Sequence, residues 1–302
     1  MIAKFADTGD FNSEEFRKNY FELEKISNRF LKLALKFGFF PKNYPWPVDP
    51  FHNWSRIWEY PFVWNQIKDL RSAGKKALRI ADLGSGLTFF PWFLASKGHQ
   101  VYALDNNPEL IPLKQIIGKM KKELDLKGNI IYLLSDAVKI SLRNNSVDAV
   151  TSISLLEHLP DCYASLDEAN RILVGNGRLV VTFDVSLDNL PFGDGTPLNL
   201  NQVNKITKLK LRSIPDKSLR FSNHPKKWTD RSNLRFDSLT DIWKWKIKNQ
   251  YLRPLVKLIR SRLLIKPYSD IPIRAIRLLF STERFDMWTV MGIAVQKSSI
   301  KR

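Results

Sequence analysis

Apolar side chains at Phe16, Tyr20, Leu23, Phe30, Ala34 and Phe37 recur at three- and four-residue steps, with Glu and Lys between them. That period predicts a long amphipathic helix over 12–37. Asn12 or Ser13 can cap its start, Glu14 and Glu15 complement the positive end of its dipole, and Gly38 ends it. Prolines at 41, 45, 47 and 50 then exclude a regular element, because each fixes φ and removes a donor. Aromatic residues among them predict an extended connection anchored by its rings. Three tryptophans follow within eleven residues (Trp54, Trp58 and Trp64), beside Arg56 and Glu59. Pro61 is expected in the first turn of a helix running to residue 71.

From residue 78 the pattern changes to an alternation of short apolar runs and helical stretches. The run 78–83 predicts a buried strand, cut by Gly84-Ser85-Gly86; a helix over 88–97 closes at Gly98, and a strand over 99–104 ends on Asp105. A helix over 108–126, a strand over 129–134 ending at Ser135-Asp136, and a strand within 146–156 continue the order. A helix over 163–174 and a strand over 178–184 complete it. Strands separated by helices predict parallel pairing with helices on both faces, an α/β fold. Beyond 184 the alternation loosens into expected helices at 198–211, 237–250 and 254–265, before a closing strand at 287–296.

With 302 residues and 44% hydrophobic residues, global disorder is excluded. One cysteine, Cys162, excludes a disulfide framework or a cysteine metal cluster and fits a reducing compartment. No apolar core of a signal peptide opens the chain, and no run reaches the roughly 18–20 residues that cross a bilayer. A cytoplasmic protein is therefore expected, at most peripheral to the inner face of the membrane. The net charge of +18 is concentrated: residues 201–284 hold 21 Lys and Arg against 6 Asp and Glu, a surplus of 15. Such a segment fits an anionic partner.

The chemistry lies in the glycine turn and the acids at strand ends. A strand, a glycine turn and a helix followed by an acid at the next strand's tip suit a nucleoside cofactor, with the carboxylate on the ribose hydroxyls. A dinucleotide fingerprint wants a third glycine where Phe89 stands, and an apolar residue where Asp82 stands. Both departures count against NAD, and the Gly-Lys-Ser/Thr of a P-loop is missing.

Asp82-Leu-Gly84-Ser-Gly86, Asp105, Ser135-Asp136-Ala137 and 156–161 (Leu-Glu-His-Leu-Pro-Asp) together resemble the class I S-adenosylmethionine-dependent methyltransferases, in particular the methyltransferase type 11 group. The resemblance covers about 78–185 and the last strand. It implies a Rossmann-like three-layer sandwich with a mostly parallel seven-stranded sheet, the last strand antiparallel, an N-terminal helical extension and a helical insertion before the last strand. The expected divisions are a cap at 1–76, the cofactor core at 77–190, a basic insertion at 191–285 and the final core strand at 286–297. By the same resemblance, Gly84 and Gly86 would pass close to the methionine moiety and Asp82 would engage its ammonium group. Asp105 would hold the ribose hydroxyls, Asn106 would lie near the adenosine, and Asp136 would accept from the adenine amine beside the Ala137 backbone. Ile153 and Ser154 would floor the sulfonium.

Methyl transfer from a sulfonium is an in-line displacement in which a base is needed only if the acceptor must lose a proton. His158 is the leading candidate for that base, with Glu157, Asp184 and Tyr132 as others. Related ubiquinone-pathway O-methyltransferases carry a metal-binding Glu where this chain has Ser154, so no metal is expected. Trp58, Tyr60 and Asp184 are candidates for the acceptor side, an aromatic wall against a small molecule. A sugar or lipid-linked glycan hydroxyl is the expected acceptor, because flat rings stack on sugar faces. The stretch 241–266 interleaves Trp243, Trp245 and leucines with Lys and Arg, and can lie on an anionic membrane or pack on the core with its charges in water. An RNA or DNA methyltransferase, or a non-catalytic membrane-associated protein that binds the cofactor, are the alternatives. Nucleic acid is the weaker partner, since no recognised binding module accompanies the charge.

Overall fold

The computed structural model describes residues 2–6, 8–41, 44, 49–52, 56–72, 77–108, 114–186, 198–206 and 288–297. Among the described residues, eight strands form one sheet: β1 (Ile2–Phe5), β2 (Arg79–Leu83), β3 (Gln100–Asp105), β4 (Asn129–Leu134), β5 (Val147–Ile153), β6 (Leu173–Ser186), β7 (Leu198–Asn199) and β8 (Trp288–Gln296). Their order is β1-β8-β6-β5-β2-β3-β4, with the two-residue β7 beside β6. β2, β3, β4, β5 and β6 pair in parallel, and β8 runs antiparallel to both β6 and β1. The expected mostly parallel sheet with a reversed final strand is what the chain forms.

The seventh strand of the continuous path comes from the N-terminus, which the periodicity did not foretell. β1 has only four residues, too few to show an alternation. Its register on β8 (Ile2↔Ala294 to Phe5↔Met291) completes the hydrogen bonding of that strand.

Helices α1 (Glu14–Phe37), α2 (Arg56–Ser72), α3 (Phe90–Ser96) and α4 (Lys114–Leu124) cover one face of the sheet, and α5 (Cys162–Ile172) and α6 (Leu200–Lys205) cover the other. The α1 boundaries follow the sequence signals: the Ser13 hydroxyl accepts the Phe16 N–H, and Gly38 takes a left-handed φ of 65°. α2 starts earlier than expected, at Arg56, so Pro61 lies inside it and not in its first turn. The basic stretch 241–266 and the helices expected at 237–250 and 254–265 lie outside the described residues. No described helix is long and apolar enough to cross a membrane.

The layer on the α1–α4 face is aromatic. Trp92, Phe30, Phe39, Phe51, Phe89, Phe90 and Phe93 are fully buried, and Phe30, Phe39 and Trp92 meet within 5.9 Å of one another's centroids. Each such ring removes enough apolar surface from water to stabilise the fold by roughly 1.5–3 kcal/mol. Trp58 belongs to this layer. It is 3% exposed, stacks on Phe62 at 4.8 Å and donates its indole N–H to Asp10 at 2.8 Å.

The connections from β2 to β3 and from β3 to β4 run over the α1–α4 face, while α5, between β5 and β6, runs over the other. Chain direction therefore diverges between the neighbours β2 and β5. In an open α/β sheet, ligands bind outside the carboxyl ends of strands at such a divergence.

Candidate active site

The carboxyl ends of β2, β3 and β5 meet at the glycine turn. Gly84 and Gly86 take φ of +65° and +51°, and a Cβ on Gly84 would stand 2.7 Å from Leu155 Cδ1. Left-handed backbone and close approach both demand glycine there. The turn is tied to the next strand: Ser85 N–H donates to Leu104 O at 3.1 Å, and Gly86 N–H donates to Asp105 Oδ2 at 2.8 Å. The other oxygen of Asp105, Oδ1, accepts from Asn107 N–H at 2.9 Å. Each oxygen still has a lone pair for a ligand hydroxyl.

Asp82 is 3% exposed, and its carboxylate accepts the Thr151 hydroxyl at 2.6 Å across the β2–β5 pair. Burial pushes its pKa up to about 7; the Thr151 hydrogen bond opposes the rise and the Asp105 charge adds to it. Nothing cationic among the described residues pairs with Asp82, which leaves it short of a countercharge. The buried Ser85 hydroxyl likewise has no partner among the described residues. Asp136, at the end of β4, is exposed and accepts Val138 N–H at 3.0 Å within a turn, and Ala137 beside it is half-buried. Asn106 is exposed next to Asp105.

A second cluster lies beyond β5 and β6, beneath the first turn of α2. Ile153 ends β5 half-buried, and Ser154 follows with φ of 43°. The Ser154 hydroxyl donates to Glu59 Oε1 at 2.9 Å and accepts from the Arg56 guanidinium, which also pairs with Glu59. Glu59 is completely buried and Glu157 nearly so, whereas Asp184 is half-buried. Burial works against the charge of Arg56, but Glu59, Tyr60 and Asp184 outweigh it and raise its pKa. Burial, then the neighbouring Asp184, pushes Glu157 well above the usual carboxylate range. Burial and the Glu59 charge bring Asp184 up to about 7, with Arg56 opposing. Oε2 of Glu157 and Oδ1 of Asp184 are buried without a hydrogen-bond partner among the described residues.

The other candidates fall in different environments. His158 is exposed at the end of the short helix Leu156–His158, its pKa lowered by partial burial and by Arg56. The Tyr132 hydroxyl accepts the Trp92 indole N–H at 2.8 Å, and burial raises its pKa, so it is engaged in the core. Tyr60, 3% exposed, packs on Phe89 at 4.8 Å and Phe90 at 5.2 Å behind the glycine turn, and Trp58 is turned to Asp10. Neither ring is open to stack on a sugar. Sequence reasoning overlooked Thr151, Tyr44 and the joining of Arg56, Glu59 and Ser154. Arg and Glu three apart inside an apolar stretch was the one available signal for the last of these. Among the described residues, no group of three or more His, Cys, Asp or Glu is placed to hold a metal ion.

A groove of about 670 Å³ on the outside of α1 and α2 is lined by Glu15, Glu22, Lys68 and Lys97 among others. Lys68 pairs there with Glu15 at 2.7 Å and Lys97 with Glu22 at 2.8 Å, and none of the strand-end residues described above lines it.

Residues 81–181 match the family model described as a methyltransferase domain. That stretch is a methyltransferase domain. The match starts one residue before Asp82 and ends on β6, so it includes the glycine turn and all the strand ends just described except Asp184. Within the curated proteins the chain is 30% identical over 105 residues to a ubiquinone biosynthesis O-methyltransferase of Xanthomonas oryzae, covering 34% of this chain and 42% of that protein. The chain thus aligns with less than half the length of the curated relatives it matches. Among solved structures, a putative sarcosine dimethylglycine methyltransferase from Galdieria sulphuraria aligns with TM-score 0.46 at 17% identity, over 80% of this chain and 88% of the other. A phosphoethanolamine N-methyltransferase of Haemonchus contortus aligns with TM-score 0.48 at 17% identity, over 86% of this chain and 62% of the other.

Domains of this class take S-adenosylmethionine, and the residues present fit it. An uncompensated buried carboxylate at Asp82 suits an ammonium group, and Asp105, fixed by two backbone amides, suits a pair of ribose hydroxyls. Gly84 and Gly86, in left-handed backbone on either side of the buried Ser85, carry no side chain that would crowd a ligand at the turn.

Proposed function

We propose that the protein transfers a methyl group from S-adenosylmethionine to a small-molecule acceptor. The observation that carries this reading is the Asp105 carboxylate bonded to the Gly86 N–H, which fuses glycine turn and strand-end acid into one cradle. When bound, S-adenosylmethionine supplies an electrophilic methyl carbon on a sulfonium.

The chain's own groups have three tasks. Asp82 holds a cation, and gains its missing countercharge by doing so. Asp105 orients a ribose, while the free Asp136 oxygen accepts from an adenine amine. Ile153 and Ser154 form the floor, and Ser154 is locked by Arg56 and Glu59, so the reacting region is preorganised. For an acceptor that must lose a proton, Asp184 is the favoured base over the exposed His158. It stands two residues beyond the partner of Ile153 in the sheet, and its pKa of about 7 matches neutral operation. The proton passes from the acceptor hydroxyl or amine to the Asp184 carboxylate.

Trp58 and Tyr60 lie in the core and give a glycan hydroxyl no support, so the acceptor proposed is the broader class of a small molecule bearing an ionisable proton. The decisive experiment is calorimetric titration with S-adenosylhomocysteine. Micromolar binding is expected, and its absence would remove the proposal.

A further inference from the structure

Two successive amides of the turn are already taken. Gly86 N–H is held by Asp105, and the next amide, Leu87 N–H, donates to the hydroxyl of Tyr44 at 3.2 Å. Tyr44 reaches the turn from the proline-rich connection, with its ring 5.4 Å from Phe40 and its own N–H on Pro41 O at 3.1 Å. A Cβ built on Gly86 would lie 3.5 Å from the Tyr44 oxygen, so the hydroxyl sits directly over the glycine. A phenol accepts one hydrogen bond and donates another. Here the accepting side is used by Leu87, and the O–H has no acceptor among the described residues. Burial, with the Asp105 charge adding to it, raises the Tyr44 pKa to about 12, so the group is a neutral donor at any working pH.

The methionine end of the cofactor is a zwitterion, and the turn's surroundings are lopsided towards its cation. Asp82 and Asp105 both attract an ammonium and repel a carboxylate. The Tyr44 hydroxyl over Gly86 is a donor at the turn, more exposed than the buried Ser85 hydroxyl. Resting on the methyltransferase reading above, we propose that Tyr44 is a positioning residue that donates its O–H to the carboxylate of the bound methionine moiety. The Leu87 amide behind it polarises the hydroxyl and strengthens that bond, as in any hydrogen-bonded chain. A donor in this place sets the orientation of the zwitterion, ammonium to the acids and carboxylate to the phenol, and so the direction in which the sulfonium faces.

The test compares two ligands that differ only in the carboxylate. S-adenosylhomocysteine and its decarboxylated analogue S-adenosyl-3-thiopropylamine are titrated calorimetrically into the wild type and Tyr44→Phe, which keeps the ring and its packing. About tenfold weaker binding of S-adenosylhomocysteine to Tyr44→Phe is expected, the scale of a lost hydrogen bond to a charged group, with the amine changed less than twofold. Equal weakening of both ligands would assign Tyr44 a merely structural role, and no weakening of either would place the carboxylate elsewhere; each result overturns the proposal. If the wild type binds neither ligand, the methyltransferase reading fails with it. If the wild type binds both and Tyr44→Phe shows no selective loss, this inference alone fails.

Discussion

The backbone N–H of Asp184 donates to Oε1 of Glu157 at 3.2 Å, which holds two carboxyl groups together at the ends of β5 and β6. Both have raised pKa values, and the remaining oxygens, Glu157 Oε2 and Asp184 Oδ1, lack partners among the described residues. Two neighbouring carboxyls, one buried and one half-buried, beside a single guanidinium cannot both ionise cheaply, so the pair retains a proton near neutrality.

That retention makes stability depend on pH with a definite sign. A carboxyl whose pKa rises on folding, here from 3.8 to about 7 for Asp184, binds its proton more tightly in the native state. Its favourable contribution is full below about pH 4 and is lost as pH rises to 7, at up to about 1.4 kcal/mol per pH unit. Asp184→Asn should therefore stabilise the protein by about 1–3 kcal/mol at pH 7.5 relative to wild type, and by little at pH 4. Urea unfolding at the two pH values reads the difference; an identical change at both would refute the assignment.

Cofactor binding should release a proton. Asp82, with its pKa of about 7, is largely protonated at pH 6, and an arriving ammonium favours the carboxylate. Titration with S-adenosylhomocysteine in buffers of different ionisation enthalpy should show a release approaching one proton at pH 6 and fading above pH 8. Affinity should rise with pH across the same interval. Asp82→Asn should abolish the release, and a wild type without buffer dependence would contradict the role given to Asp82.

Asp105→Ala removes both a ligand contact and a clamp on the turn. Loss of a charged hydrogen-bond partner should weaken S-adenosylhomocysteine binding by about 1–3 kcal/mol. Because Gly86 N–H and Asn107 N–H lose their acceptor, the ligand-free protein should also melt a few degrees lower, which scanning calorimetry measures. Full retention of affinity would exclude Asp105 from the cofactor site.

The Arg56–Glu59 pair gives a coupled prediction. Arg56→Met leaves Glu59, wholly buried, without its cation, and should cost about 3–5 kcal/mol of stability. Adding Glu59→Gln should recover much of that loss, since the neutral side chain can still meet Ser154. Additive effects in the double variant would show that the two residues do not interact.

Local patterns carried the core. The apolar runs of β2 to β6 and β8, the helical stretches between them and the caps Ser13 and Gly38 were all legible, because burial and hydrogen bonding of neighbours in sequence determine them. Pro61 misled at the start of α2, whose packing on β6 and β8 carries the helix five residues further towards the N-terminus than the proline signal did. The aromatic stretch with Trp58 and Tyr60 looked like a pocket wall, but aromatic character says only that a ring seeks apolar cover. For Trp58 that cover is Phe62, with Asp10 for its N–H.

By itself, the sequence determined the fold and the cofactor class through glycines and acids at fixed offsets from strand ends, where position along the chain and position in space coincide. Tertiary structure alone decided what meets across the chain. It placed Ile2–Phe5 on β8, the Arg56–Glu59 pair against Ser154 about 98 positions away, Glu157 against Asp184, and the Tyr44 hydroxyl over Gly86. These contacts depend on how helices lie over a sheet, a packing relation that no local period encodes.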